Sequence, residues 1–291
     1  MKYDLHCHSH YSDGFLSPGD LLARAKAQQV DVLALTDHDT IAGVVLAQNA
    51  AKMHGISLVP GIEFSSQWGK SGVHILGLGV DISSSVLQAA VAAQENARVQ
   101  RAEQIAQKLD KCGISGALDG AKQWAGAANV GRPHFAQFLV QQGAVKDFNA
   151  AFKKYLGAGK PADVKYSWPI MSVVIEWINA SDGVSVLAHP YKYNLTRTKM
   201  VALIKDFAAA GGQAVELING LQSQAETQDL TRIVSNLGLA VSCGSDFHVP
   251  GQPWQELGTM SPLPECVTPV WGMPQVSRFI SHPDGVGITS C

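Results

Sequence analysis

The sequence predicts an α/β fold: a distorted seven-stranded β/α barrel with a small inserted helical domain. Short apolar runs alternate with helix-like segments over most of the 291 residues. One connection, between the third and fourth strands, is too short to carry a helix. A middle stretch holds helical pieces without a convincing strand.

Taken in order, Lys2 to Cys7 reads as the first strand. Ser17-Pro18-Gly19-Asp20 then supplies an N-cap, a proline at the first helical position and an acid three residues after the cap, opening a helix to about Gln29. Val32 to Thr36 is a buried strand, Thr40 to His54 a helix closed by Gly55, and Ser57 to Glu63 a third strand. Val73 to Val80 is the fourth. Only Phe64 to Gly72 separates it from the third, whereas a parallel crossover takes roughly a dozen residues or more. A hairpin is therefore expected, with the start of the fourth strand beside the end of the third.

Ser83 to Lys111 forms one long helix ended by Cys112-Gly113. Helical pieces continue to about Trp168, one opened by Pro133 and one running from Val145 to Leu156. Alternation resumes with a strand at Val184 to Ala188, a helix at Arg197 to Ala209 and a strand at Ala214 to Ile218. A helix from Ser223 to Leu237, stopped by Gly238, leads into the last strand, Leu239 to Cys243. The Pro- and Gly-rich remainder is expected to wrap the body. Residues 1–97 and 169–291 are assigned to the barrel, and 98–168 to a helical insertion that caps the substrate.

Hydrophobic residues make up 46% and charged residues 16%, which suits a sizeable core. A net charge of -2 offers no global attraction to nucleic acid or anionic lipid, so any grip on phosphate must be local. The five Cys are scattered, with no C-x-x-C pair, so neither a disulfide framework nor a zinc knuckle is indicated. No apolar run approaches the ~18 residues that span a bilayer, and no apolar leader opens the chain. A soluble, cytoplasmic protein with no membrane and no obligate protein partner is expected.

Active sites of β/α barrels gather at the C-terminal ends of the strands. His6 and His8 end the first strand, and Asp13 lies in the following loop. Asp37-His38-Asp39 follows the second strand, and Glu63 ends the third. His74 starts the fourth, which the hairpin brings to the same rim; His189 follows the fifth, and Asp246 and His248 follow the last. Singly, each residue has an ordinary alternative. A lone His-x-His can be a satisfied pair, Asp39 a helix N-cap, His189-Pro190 a turn, Ser245-Asp246 an Asx turn, and Glu63 a partner of lysine. Nine such residues on one rim are not explained that way. Imidazoles and carboxylates together bind Zn, Mn or Fe, and a carboxylate such as Glu63 can bridge two ions. Ions ~3.5–4 Å apart activate water and neutralise charge on a phosphoryl group. Nine ligands exceed the need of one ion, so two or three are expected.

The runs His6-Cys7-His8-Ser9-His10-Tyr11-Ser12-Asp13-Gly14, Thr36-Asp37-His38-Asp39, Gly61-Ile62-Glu63, Ala188-His189-Pro190 and Ser245-Asp246-Phe247-His248 resemble the motifs of the PHP (polymerase and histidinol phosphatase) family. The resemblance runs through residues 1–95 and 170–250. It implies a distorted seven-stranded barrel with a trinuclear metal site, in which His6, His8, Glu63 and Asp246 hold one ion. Glu63 then bridges to a second ion held by His74 and His189, and Asp13, His38 and His248 hold the third. Manganese is the expected metal, with Fe2+ or Zn2+ as alternatives. Gly131-Arg132-Pro133-His134 and Tyr155-Leu156-Gly157-Ala158-Gly159-Lys160-Pro161 are similar to the group of nucleotide bisphosphate phosphatases and RNase AM within that family. Members of that group remove the 3′-phosphate of nucleoside 3′,5′-bisphosphates or degrade short RNA from its 5′ end.

The expected reaction is in-line attack on phosphorus by a hydroxide between the ions. His189, His248 and Asp246 are the candidate catalytic residues; either histidine, or a metal-bound water, is available to protonate the leaving group. Arg132 opens a helix, where an anion is favoured. With His134 it is expected to hold a second phosphate, helped by Arg197 and Lys165, while His10 and Tyr193 line the pocket. The ordinary alternatives are a surface ion pair for Arg132 and an amphipathic-helix opening for Arg197. Competing readings are a histidinol-phosphate or general phosphomonoesterase, a non-catalytic accessory module of a polymerase, and a deaminase on the same barrel logic.

Overall fold

The computed structural model describes residues 1–165 and 168–281. The expected wrapping of residues 282–291, and Cys291, lie outside the described residues. Seven strands form one sheet in sequence order: β1 (Tyr3–Asp4), β2 (Val32–Leu35), β3 (Ser57–Trp68), β4 (Ser71–Leu78), β5 (Val184–Leu187), β6 (Ala214–Asn219) and β7 (Ala240–Gly244). The pairs β1–β2, β2–β3, β5–β6 and β6–β7 are parallel, while β4 runs antiparallel to both neighbours. The ends meet: Leu5 N donates to Cys243 O at 3.0 Å, Asp246 N to His6 O at 2.8 Å and His8 N to Phe247 O at 2.9 Å. The sheet is thus a barrel with one inverted strand, as the short third connection predicts.

Alternation along the strands sorts side chains between two environments. Val32, Ala34, Leu76, Leu78, Val184 and Val186 share the barrel interior, closed at the end away from the metal-ligand candidates by Val270, Val276 and Ile280 of the tail. Leu33 and Leu35 pack under α1 (Pro18–Ala27) and α2 (Ala42–His54). Val73, Ile75 and Leu187 face α7 (Met171–Ala180), α8 (Arg197–Ala209) and α9 (Gln224–Asn236). Ser17 caps α1 by accepting from Asp20 N, Gly55 ends α2 in the left-handed region at φ 65°, and Ser223 with Glu226 forms a capping box on α9.

Two local expectations need correcting. The nine residues between Glu63 and Val73 are not a loop: the two strands continue until Trp68 pairs with Ser71, and Gly69-Lys70 turns the chain, with Gly69 at φ 56°. α7 escaped sequence reading because Val173, Val174 and Ile175 resemble a strand. Its burial follows helical spacing instead, through Met171, Val174, Ile175 and Ile178.

The segment between β4 and α7 is helical. α3 (Ser85–Asp110) is 26 residues long and is followed by α4 (Ala117–Ala125), α5 (Arg132–Gln141) and α6 (Phe148–Ala151), which runs on as a π turn to Leu156. Ala102, Ile105, Leu109, Phe135, Phe138 and Leu139 give these helices a hydrophobic core of their own. A short α10 (Pro274–Ser277) lies in the tail. No helix among the described residues is long and apolar enough to cross a membrane.

Candidate metal centre

Ladder extensions beyond the strands set the positions of the polar groups. Glu63 N donates to Asp37 O at 3.1 Å and Asp39 N to Glu63 O at 2.9 Å, which fixes His38 beside Glu63. The bonds between His6–His8 and Asp246–Phe247 place both histidines beside Asp246. The β3–β4 register sets His74 opposite Ser65, diagonal to Glu63 on the same face. Cys7, between the two histidines, turns into the core with Leu21, Leu35 and Phe247.

Around the first histidines four ligand-type atoms converge. His6 Nε2 and His8 Nε2 are 3.1 Å apart, Glu63 Oε2 is 3.3 Å from each, and Asp246 Oδ1 is 3.3 and 3.2 Å away. Ligand atoms at 2.0–2.1 Å from one ion in a tetrahedral shell are themselves ~3.3 Å apart. The spacing therefore fits a shared cation. His6 Nδ1 lies 2.9 Å from Glu216 Oε1, so in the neutral ring that nitrogen carries the proton and Nε2 keeps its lone pair facing inward.

The remaining candidates adjoin this group. Glu63 Oε1 is 2.9 Å from His74 Nδ1 and 3.0 Å from His189 Nε2, while Glu63 Oε2 is 3.0 Å from His38 Nδ1. Asp13 Oδ1 is 3.3 Å from His248 Nε2 and 4.0 Å from His8 Nδ1, and Asp13 Oδ2 is 3.8 Å from His38 Nε2. All nine residues fall into four overlapping groups with ligand atoms within 4.8 Å of one another. His6, His8 and His38 are shared between groups, as Glu63 is. His8 Nδ1, Asp13 Oδ1, His38 Nδ1 and Glu63 Oε2 are buried without hydrogen-bond partners. Buried polar atoms are rarely left so, and a set of lone pairs aimed at common points fits divalent ions.

Burial works to raise the carboxyls of Asp13, Glu63 and Asp246, yet the surrounding imidazoles, with Lys192 beside Asp246, hold all three well below the usual carboxylate range. Burial works to lower His8, but Asp246 and Glu63 push it up to about 10. His6 is likewise raised, chiefly by Glu216 against burial. For His38, burial prevails and its basicity is depressed.

Sequence reading missed the residues that hold this frame. Besides orienting His6, Glu216 accepts His189 N at 2.7 Å through Oε2. Its signal was a lone acid inside an apolar strand, Val215-Glu216-Leu217. Lys192 pairs with the Asp246 oxygen that faces away from the histidines. Asp37 fixes the first loop by accepting from Ser9 N at 2.7 Å, Ser9 Oγ at 2.6 Å and Ser12 Oγ at 2.7 Å. Gly244 is needed for close approach, since a Cβ there would stand 2.3 Å from His6 Cβ.

Beside Asp13, His38 and His74 opens a cavity walled by Arg98, Arg101, Arg132, His134 and Trp168. Arg98 and Arg101, three residues apart on α3 and so neighbours on its surface, both meet the Trp168 ring, at 5.3 and 5.2 Å. Arg101 is 8% exposed and its Nε has no partner. Burial, with Arg132 and Arg98 nearby, depresses it to about 9. Arg132, over the Phe152 ring at 5.8 Å, is also depressed by burial. His134 Nδ1 accepts Gly131 N at 2.9 Å, capping α5.

The other expected substrate residues disperse. Lys165 lines an adjoining cavity with Arg101, Arg132 and Lys192. Tyr193 also lines it, but its hydroxyl is occupied, accepting from His74 N at 2.8 Å and donating to Ala188 O at 3.0 Å. Arg197 is exposed and bound to Asp229, and His10 is exposed beside Tyr11; neither lines these cavities.

The chain is similar to known proteins over nearly its whole length. A 5'-3' exoribonuclease of Haemophilus influenzae is 47% identical over 93% of this chain and 98% of its own. A 3',5'-nucleoside bisphosphate phosphatase of Chromobacterium violaceum is 40% identical over 92% of this chain and 94% of its own. A solved structure described as an amidohydrolase from Chromobacterium violaceum, with bound sulfate and no metal, superposes with a TM-score of 0.89 at 39% identity, over 98% of this chain and 99% of that one. The model of the PHP domain matches residues 4–241, a span running from the first strand into the last. With the barrel, the inverted strand and the rim of histidines and carboxylates already described, the chain belongs to the PHP domain family.

Proposed function

We propose that the protein is a metal-dependent phosphoesterase that removes the 3′-phosphate of nucleoside 3′,5′-bisphosphates and cuts short 5′-phosphorylated RNA. The observation that carries this reading is Arg101: a buried guanidinium with an unpartnered Nε, flanked by Arg98 and Arg132, in the wall of a cavity that reaches Asp13, His38 and His74. Arg98 is already paired with Asp39, but Arg101 and Arg132 have no such ion pair among the described residues and call for an anion, and a guanidinium fork suits a terminal phosphate. The cluster takes one phosphate and the arginines another.

His6, His8, Asp13, His38, Glu63, His74, His189, Asp246 and His248 would hold two or three ions. The all-nitrogen-and-oxygen donor set suits Mn2+, with Fe2+ or Zn2+ also compatible. Bound there, divalent ions supply charge neutralisation at the phosphoryl oxygens and a more acidic water. Asp246 and His248 serve as ligands rather than proton carriers. Asp246 is divided between Lys192 and the histidines, and His248 Nδ1 sits 2.9 Å from Asp246 O, leaving Nε2 for an ion.

Both activities break the same bond. If the arginines hold the 5′-phosphate of the first nucleoside, the phosphorus at the cluster is the one on its 3′ oxygen, whether it is terminal or joins the next nucleotide. The free thiols of Cys7, Cys112, Cys243 and Cys266 are compatible with the cytoplasm, where we place the protein. The test compares phosphate release from adenosine 3′,5′-bisphosphate and from 3′-AMP with Mn2+ supplied. Arg101→Ala should cut kcat/KM for the bisphosphate by about 100-fold, in line with the loss of charged hydrogen bonds, and far less for 3′-AMP. Equal losses on both would refute the second-phosphate role.

A further inference from the structure

Beside His189 lies a further cavity, lined by His189, Lys192, Asn219, Leu221, Gln222 and Glu226 together with the Pro190–Tyr191 turn. It shares no residue with the cavity that reaches Asp13, His38 and His74, and only Lys192 with the adjoining cavity of Arg101, Arg132 and Lys165. Three of its polar groups have unused hydrogen-bonding capacity. His189 Nδ1 and Asn219 Nδ2 are buried without partners. The Lys192 ammonium offers three donors and bonds, among the described residues, to Asp246 alone. Glu226, the one acid, is engaged by the α9 cap, accepting from Ser223 Oγ at 2.7 Å. Leu221 contributes a side chain that is 61% exposed.

We infer that this cavity binds the nucleoside downstream of the scissile phosphate in an oligoribonucleotide, an inference that rests on the proposed phosphoesterase reading. With the first nucleoside held toward the arginines, the leaving 3′ oxygen points that way and the attacking water enters opposite it. Of the three remaining phosphate oxygens, a diester uses one to carry the next nucleoside. The cavity beside His189 and Lys192 receives it. Asn219 and His189 Nδ1 meet its ribose and base edge, and Leu221 meets the face of the base. In the cut, water adds to phosphorus, the P–O3′ bond breaks, and a proton from the water ends on the 3′ oxygen. The products are a nucleoside 5′-monophosphate and a shortened strand with a new 5′-phosphate, ready for the arginines again. A bisphosphate substrate leaves the cavity unfilled.

The experiment sets 5′-phosphorylated ApA against adenosine 3′,5′-bisphosphate, using full-length enzyme with Mn2+, and measures in parallel the binding of a methylphosphonate-linked, 5′-phosphorylated ApA. Asn219→Ala should lower the diester-to-bisphosphate ratio of kcat/KM about tenfold, with a matching loss of dinucleotide binding relative to bisphosphate binding. Leu221→Glu, at an exposed position where folding is not at risk, should shift both ratios the same way. Ratios unchanged in both variants would overturn the assignment of this cavity. A wild-type enzyme that turned over neither substrate would overturn the underlying phosphoesterase reading, while the binding ratios would still decide the cavity.

Discussion

Glu216→Gln tests whether a carboxylate outside the ligand set decides how well His6 binds an ion. Glu216 uses its two oxygens for two donors, His6 Nδ1 at 2.9 Å and His189 N at 2.7 Å. An amide has one oxygen and one NH2 group, so it can satisfy only one of them. If its oxygen stays on the His189 N–H, its NH2 faces His6 Nδ1. That nitrogen must then accept, the proton moves to Nε2, and the lone pair aimed at His8, Glu63 and Asp246 is lost. If the amide turns round, NH2 meets the backbone N–H of His189, donor against donor, at a residue already held at φ 28°. Loss of such an outer-shell partner weakens metal binding by roughly 10–100-fold, about 1.4–2.7 kcal/mol. The assay is metal content by elemental analysis after equilibration with graded chelator, beside a thermal melt to confirm folding. A folded Glu216→Gln protein that keeps its full metal complement at the same chelator concentration would refute the reasoning.

Gly244→Ala should destabilise, because the new Cβ would stand 2.3 Å from His6 Cβ and 2.7 Å from His6 N. Overpacking of this kind costs about 1–3 kcal/mol, or roughly 2–5 °C in Tm for a chain of this size, whereas Gly19→Ala, at an exposed position of α1, should not lower it. Glu256 sits below its ordinary carboxyl range of 4.5 because Arg24 bonds both its oxygens, at 2.9 and 2.5 Å. A lowered folded value stabilises above the unfolded value and is lost as pH falls through the folded one. The Tm gap between wild type and Glu256→Gln should therefore be present at pH 7 and close below about pH 4. A gap that is constant with pH would assign the effect to packing.

The parts legible in the sequence were those that local rules encode. Ser17-Pro18-Gly19-Asp20 and Gly55 mark helix ends through their own backbone chemistry. Most rim residues could be located because they end or directly follow a short apolar strand; Asp13 lies in the loop after one, and His74 was placed by the short hairpin connection. Glu216 obeys no local rule: it lies inside a strand, and its role exists only because β6 is brought across from His6. Arg98 and Arg101 were hidden in a long helix of mixed polar and apolar residues, although their three-residue spacing does make them neighbours on its surface. Arg197 misled because a basic residue at a helix start looks like an anion site, whereas Asp229 on α9 already occupies it. The turn at Gly69-Lys70 was concealed by Phe64 to Trp68, which can belong to a loop or a strand until a partner strand is known.

The helical segment does more than cover the cluster. Arg98 Nε donates to Asp39 Oδ2 at 2.7 Å and Arg98 NH2 to Ser65 Oγ at 3.2 Å, while Gln94 Nε2 donates to Ser65 O at 2.6 Å. Asp39 follows the ligand candidate His38 directly, and its Oδ1 accepts Ser65 N at 2.7 Å. The same helix therefore carries two of the three arginines and is bolted to the strand and loop that carry Glu63 and His38. The proposed anion site thus cannot drift relative to the metal-ligand candidates as a hinged lid could. A fixed separation between two phosphate sites selects by length: it rewards a substrate whose phosphates are spaced by one ribose and gains nothing from a lone monoester. Since a net charge of -2 provides no long-range attraction, this spacing, rather than electrostatic capture, would set the preference for a 5′-phosphorylated nucleotide.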